Sequence, residues 1–144
     1  MSIWFKEFSP EMLDTWCQNS LVDHLDIRFL EIGDDYLKAQ MPVNAQTVQP
    51  ARRLHGGATA ALIETICSVA ANMTLNPKTH LALGLDLHVS HLRGILENKG
   101  PVEAMCRPVR IGKSVQVWET LCTDPKGNKT AKGQLTLFVQ KIGN

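Results

Sequence analysis

Several common signatures of chemistry are missing from this sequence. Its four cysteines, Cys17, Cys67, Cys106 and Cys122, include no Cys-x-x-Cys pair. All four sit among apolar or strand-like neighbours, so reduced, packed thiols are expected rather than disulfides or a zinc site. There is no Gly-x-Ser-x-Gly elbow, no phosphate-binding loop and no Gly-x-Gly-x-x-Gly fingerprint, which argues against serine α/β-hydrolases, P-loop enzymes and dinucleotide-binding domains. An excess of one charge is absent too: 15 Lys and Arg stand against 14 Asp and Glu, for a formal net charge of +1. Neither nucleic acid nor an anionic membrane is indicated as the main partner. The N-terminus lacks the apolar run of a signal peptide. The most apolar window, 58–75, carries Glu64, Thr65, Ser68 and Asn72, too polar for a membrane span. A cytoplasmic location is the resulting expectation.

What remains is an ordinary globular composition, 44% hydrophobic and 20% charged over 144 residues, enough for one domain, 1–144, with its own core. Ser9 can cap a helix that Pro10 opens, with Met12, Leu13 and Trp16 on one face. A short helical turn is expected from Leu21 to Leu25. Residues 27–43 read as a hairpin around the turn residues Gly33-Asp34-Asp35, and 44–54 as a loop. From about Gly57 to Leu75 there is no proline, and apolar residues recur almost all round a helix, which therefore belongs inside the protein. Its polar exceptions, Glu64, Ser68 and Asn72, are four apart and share one face. After Asn76-Pro77 the period changes to two: Leu81, Leu83, Leu85, Leu87 and Val89 are expected on one side of a strand, with Ala82, Gly84, Asp86, His88 and Ser90 on the other. Three more strands are expected at about 101–111, 114–123 and 130–141. Helices and strands are segregated, so the fold class is α+β, a mainly antiparallel sheet with one long helix on its face.

Two features converge on that helix. The first is His55-Gly56-Gly57 at its start. Free N–H groups at a helix N-terminus carry the positive end of the macrodipole, and glycines let a substrate approach that backbone, so the segment can hold a developing oxyanion. Two glycines also serve simply to make a tight loop-to-helix turn. The second is Glu64, the only charged residue between Arg53 and Lys78. A lone carboxylate on a buried helix is costly unless it is partnered or used. It is either a general base, or a glutamate on a solvated edge or bonded to Thr65, Ser68 or a neighbouring strand. Gly56 and Glu64 are eight residues apart, about 12 Å along a helix axis. One carbonyl cannot readily touch both groups of one helix, so cooperation between them requires two copies of the chain related by a two-fold axis. His88 and His91, three apart on a strand, face opposite sides and make a poor metal pair. Cys67 has no evident activating partner and reads as core.

The stretch Gln49-Pro50, Leu54-His55-Gly56-Gly57-Ala58, Ala61-Leu62 and Glu64-Thr65 resembles the PaaI-like hotdog-fold thioesterases, in particular the subgroup of the enterobactin proofreading thioesterase and dihydroxynaphthoyl-CoA thioesterase. The likeness covers nearly the whole chain, from Ile3-Trp4 through Gly84-Leu85-Asp86 and His91-Leu92-Arg93 to Gln116-Val117-Trp118. It implies a hotdog fold, a sheet wrapped around one central helix, and hydrolysis of the thioester of an acyl-CoA or acyl-carrier protein with an aromatic or medium-size acyl group. By position, Glu64 would be the catalytic carboxylate and the Gly56 N–H would polarise the carbonyl. His55 and Gln49 would orient the carbonyl and the water or leaving thiol. Ser68, Val69, His91 and Arg93 would contact substrate. The resemblance further implies sites built across dimers within a homotetramer, and no metal or redox cofactor. Relatives usually carry Phe-Gly and an aliphatic residue after Gln-Pro, where this chain has Ala51, Arg52 and Arg53. They also tend to carry asparagines where it has His88 and Ser90. Both changes are expected close to the site. The two arginines either meet phosphates of coenzyme A or are solvated. A non-catalytic acyl-CoA-binding protein is the alternative reading, favoured only by the altered 51–53 loop. A hotdog dehydratase, which pairs a histidine with an acidic residue in a different helix signature, fits less well.

Overall fold

In the computed structural model, which describes residues 1–143, Ser9 caps α1 (Pro10–Trp16), its hydroxyl accepting the Met12 N–H at 3.3 Å. A single turn, α2 (Leu21–His24), precedes the hairpin β1 (Arg28–Ile32) and β2 (Leu37–Met41). The long helix α3 runs Gly56–Met73 and is followed by β3 (His80–His91), β4 (Val102–Ile111), β5 (Val115–Thr123) and β6 (Lys129–Lys141). The six strands form one antiparallel sheet in the order β1-β2-β4-β5-β6-β3. The chain leaves β2 near one edge, crosses the sheet as α3 and returns as β3 at the other edge.

Burial explains why α3 lies there. Leu62, Ile63, Ile66, Cys67, Ala70, Ala71 and Met73 are fully buried. They meet the inward residues of alternating strands, such as Leu37, Ala39 and Met41 of β2 and Val102, Ala104 and Cys106 of β4. Period two on each strand gives one buried face, and an all-round apolar helix fills the hollow. No helix among the described residues is long and apolar enough to cross a membrane.

One end of α3 is closed by the N-terminal arm. The Phe5 N–H donates to the Met73 carbonyl at 2.8 Å. Trp4 donates its indole N–H to the Gly33 carbonyl at 2.7 Å and stacks on Trp118, ring centroids 6.1 Å apart. Buried Trp118 donates to Gln116 Oε1 at 2.8 Å, Gln116 Nε2 donates to Thr74 Oγ1 at 3.0 Å, and Thr74 donates to the Ala71 carbonyl at 2.7 Å. The chain of bonds satisfies polar groups that burial would otherwise penalise.

The expected alternation of β3 needs correction. Its pairing with β6 slips between Gly84 and Asp86, a β-bulge that turns the strand by one residue. Before it Leu81 and Leu83 are exposed and Ala82 is buried. After it Leu87 and Val89 pack against the core. The five apolar residues therefore do not share a side. The bulge lets Gly84 and His91, seven residues apart and of opposite parity, both face α3. As an edge strand β3 pairs only with β6, and Leu83 and Leu85 on it are 44% and 65% exposed.

Candidate active site

The start of α3 is held by the loop before it. Thr47 Oγ1 donates to the Pro42 carbonyl at 2.7 Å, the His55 N–H donates to the Thr47 carbonyl at 2.8 Å, and the Leu54 N–H donates to the Ile95 carbonyl at 2.8 Å. His55 is the N-cap: its Nδ1 accepts the Gly57 N–H at 2.7 Å and its carbonyl accepts the Thr59 N–H at 3.1 Å. A ring whose Nδ1 accepts carries its proton on Nε2, which leaves that N–H for a ligand. The Gly56 N–H makes no hydrogen bond among the described residues. It is an unsatisfied first-turn donor at the positive end of an 18-residue helix.

Glycine at 56 gives room for a close neighbour. A β-carbon there would stand 3.2 Å from Cε1 and Nε2 of His91, so the imidazole at the end of β3 lies directly over the first turn of α3. Around them is a cavity of about 350 Å³ whose wall includes Gln49, Gly56, Thr59, His91, Arg93 and Thr130. Gln49 Oε1 accepts the Ala51 N–H, leaving its amide N–H groups as the donors available there. Thr130 is buried, and its hydroxyl has no partner among the described residues. Thr59 and Thr130 escaped sequence reasoning. Nothing in an inward-facing threonine on an amphipathic helix or strand marks it as lining a cavity rather than packing.

Of the eight residues expected at the site, one protomer brings Gln49, Gly56, His91 and Arg93 to this cavity, with His55 beside them as the cap. Glu64, Ser68 and Val69 lie two to four turns further along α3. Glu64 is half-buried and takes part in no ion pair among the described residues. Its carboxylate lies against Gly84, where a β-carbon would collide with Oε1. Next along the same stripe, Asn72 docks on β3: its side chain accepts the Ala82 N–H at 2.9 Å and donates to the Ala82 carbonyl at 3.0 Å. It also donates to the Ser68 carbonyl at 2.9 Å. Val69 packs half-buried against the core. His88 and Ser90 line a different cavity, with Glu119, Lys132 and Gln134. Their expected closeness to the site does not hold within a protomer, because strand parity turns them away from His91.

The thiols are poor nucleophiles. Burial, with the nearby Asp14 and Asp23 carboxylates, raises Cys17. Burial is also the main cause that raises Cys106, and it pushes Cys122 up to about 12 with a further contribution from Cys67. Cys67 is buried against Thr120, Sγ to Oγ1 3.0 Å. The three raised thiols, Cys17, Cys106 and Cys122, are inert as nucleophiles.

A helix N-terminus with a free amide, an imidazole and an amide side chain around one cavity suits the polarisation of a carbonyl. Residues 52–131 match the family model described as the thioesterase superfamily. This chain belongs to that family. The thioesterase is 38% identical to the 1,4-dihydroxy-2-naphthoyl-CoA hydrolase of Escherichia coli K12 over 95% of this chain and 98% of the relative. It is 36% identical to the proofreading thioesterase EntH of Cronobacter turicensis, again over 95% and 98%. A crystal structure of a mutant thioesterase from Pseudomonas aeruginosa superposes with a TM-score of 0.95 at 32% identity, covering 98% of this chain and all of that one. The fold is accordingly the hotdog fold, and the thioesterase is a hydrolase of acyl thioesters.

Proposed function

We propose that this thioesterase hydrolyses acyl-coenzyme A carrying an aromatic or medium-size acyl group, at sites shared between two copies of the chain. The observation that carries the reading is a pair of unused groups on one helix: the Gly56 N–H at its tip and the Glu64 carboxylate two turns on. They are separated by about 12 Å of helix rise. Glu64 lies against the open edge strand β3, flanked by exposed Leu83 and Leu85. A second copy paired along that edge by a two-fold axis sets the tip of each helix against the carboxylate of the other and covers the leucines. A dimer, or a tetramer built from two such dimers, is the assembly this favours.

The acyl carbonyl oxygen accepts from the Gly56 N–H as negative charge develops on it, while Gln49 and His55 offer further donors. Glu64 either takes a proton from the attacking water or attacks the carbonyl itself, forming an anhydride that water then cleaves; in both cases the thiol departs with a proton. Ser68, Val69 and His91 bound the acyl group. The name of the Escherichia coli relative, which specifies an aromatic acyl-CoA, supports that substrate class.

Glu64→Gln tests the assignment. Its kcat, followed by free-thiol release from an aromatic acyl-CoA, is expected to fall by about two to four orders of magnitude, with melting temperature and oligomeric state unchanged. Turnover close to the unmodified protein's removes Glu64 from the reaction. Thiol release at full rate by a lone protomer removes the shared site.

A further inference from the structure

Asp86, His88 and Ser90 stand on the face of β3 turned away from α3. They pair with Thr136, Gln134 and Lys132 of β6, while the intervening Leu87 and Val89 pack against the core. All three are exposed. His88 and Ser90 share a cavity of about 330 Å³ with Gln134, Lys132 and Glu119. Among the described residues, Asp86, His88, Glu119 and Lys132 form no ion pair.

A shared active site fixes how a second copy meets this edge. The start of α3 at Gly56 lies under His91, and the Glu64 carboxylate lies against Gly84. The two groups bracket one carbonyl when His91 of one copy lies opposite the partner's Gly84 in an antiparallel pair. Leu85 is the extra residue of the bulge, since Gly84 opposes Leu137 and Asp86 opposes Thr136. Counting past it in both strands sets Ser90 opposite the partner's Asp86, Val89 opposite the partner's Leu87, and His88 opposite the partner's His88. Inward residues then meet inward ones and outward residues outward ones, as an antiparallel ladder requires. The two-fold axis runs between the two His88 side chains.

We propose that these two imidazoles bind a divalent transition-metal ion on the dimer axis, one ion for two chains. The site rests on the shared-site reading, which supplies the register. Directly opposed residues have β-carbons about 4.5–5.5 Å apart, and two imidazoles on one zinc hold their nitrogens about 3–4 Å apart. Zinc, nickel and copper suit imidazole ligands. Each Asp86 is two residues from its own His88 and diagonal to the partner's His88. Its carboxylate can accept from the ring N–H that the metal does not use, which orients the ligand, and water completes the coordination. The two aspartates also offset the charge of the ion. Glu119 is two strands in from His88, about 10 Å away, and offsets Lys132 beside it. Within one chain no group of three or more His, Cys, Asp or Glu among the described residues can hold a metal, so the site is incomplete without the partner. The sheet separates the ion from Gly56, so hydrolysis does not need it. Asparagine, which relatives tend to carry in place of His88, offers no ring nitrogen.

The untagged full chain, stripped with a chelator, is titrated with zinc chloride by calorimetry, and its assembly is followed by light scattering. One zinc per two chains is expected, with the dimer surviving greater dilution when zinc is present. His88→Asn should abolish binding and keep acyl-CoA turnover. Asp86→Asn should weaken zinc about ten- to a hundredfold. His88→Cys should link two chains through a disulfide on mild oxidation, because directly opposed residues meet its geometry, and Lys132→Cys should not. Zinc at one ion per chain, unchanged affinity in His88→Asn, or no disulfide through position 88 overturns the proposal. A disulfide at 88 and normal hydrolysis without zinc uptake also overturns it, and leaves the shared active site standing. Full turnover by Glu64→Gln, with one zinc still held per two chains through His88, would instead count against the proposed reaction and leave the metal site standing.

Discussion

The two ends of α3 are built on opposite plans. At the C-terminal end every polar group named above has a partner: Met73 is met by Phe5, Thr74 by Gln116, Gln116 by Trp118, and Trp118 is covered by Trp4. At the N-terminal end, among the described residues, the Gly56 N–H is free and the Thr130 hydroxyl is unpartnered, and the cap residue His55 is exposed. Unsatisfied groups cost free energy in a folded chain, and a fold tolerates them where a ligand completes them. The closed end therefore stabilises the helix, and the open end carries the donors that the proposed reaction would use for the acyl carbonyl oxygen. Substitutions should separate along the same line, costing stability at one end and turnover at the other.

The largest effect is expected at the closed end. Trp118 is fully buried, and truncation to alanine removes a large ring and leaves Gln116 Oε1 without its donor. Trp118→Ala should lose about 3–5 kcal/mol of unfolding free energy, read from urea unfolding. Whatever remains folded should retain its KM and most of its kcat. If turnover vanishes well below the melting transition of this variant, the two ends are not independent and the division fails.

The middle of the helix offers a sharper test. Gly84 gives room to the Glu64 carboxylate, and a methyl group there collides only with the far end of that side chain. Gly84→Ala should keep its fold and melting temperature within a few degrees, because the glutamate can swing aside and alanine suits a strand no worse than glycine. If Glu64 reacts as proposed, displacing it by about an ångström is costly, and kcat should drop by about ten- to a hundredfold. Light scattering must show the same oligomer as the unmodified protein. An unchanged kcat would mean that the carboxylate does not work from its place against β3.

The order of elements was legible in the sequence because each rests on a local period: the all-round apolar helix, the alternating strands at 102–141, and turns rich in Gly, Asp and Pro. The tip of α3 was legible too, since His55-Gly56-Gly57 is a cap and a close approach written in consecutive residues. The β3 bulge was not, because alternation from Leu81 to Val89 is unbroken in the sequence and the slip comes from pairing with β6 and packing on α3. That slip sets both Gly84 and His91 against the helix, so part of the site's geometry was hidden by it. The adjacent arginines were equally opaque. Only their distant partners, Glu97 for Arg52 and Gly94 for Arg53, tell them apart.

Between the two ends of α3, Cys67 faces Cys106 of β4 and Cys122 of β5 in a dry layer. Burial raises the Cys122 thiol from 9.0 to about 12. A thiol that ionises less readily in the folded state than in the unfolded chain contributes its full stability below pH 9, and that contribution is lost as the pH rises toward 12. At pH 10 the loss from this one group should be about 1.4 kcal/mol, and Cys106, raised in the same direction, adds to it. Urea unfolding at pH 8 and pH 10 measures the difference. Cys122→Ala should start from lower stability, since it opens a small void, yet lose about 1.4 kcal/mol less between those two values. An identical pH dependence in both proteins would mean that water reaches this layer, and the dry middle that divides the closed end from the open one would be gone.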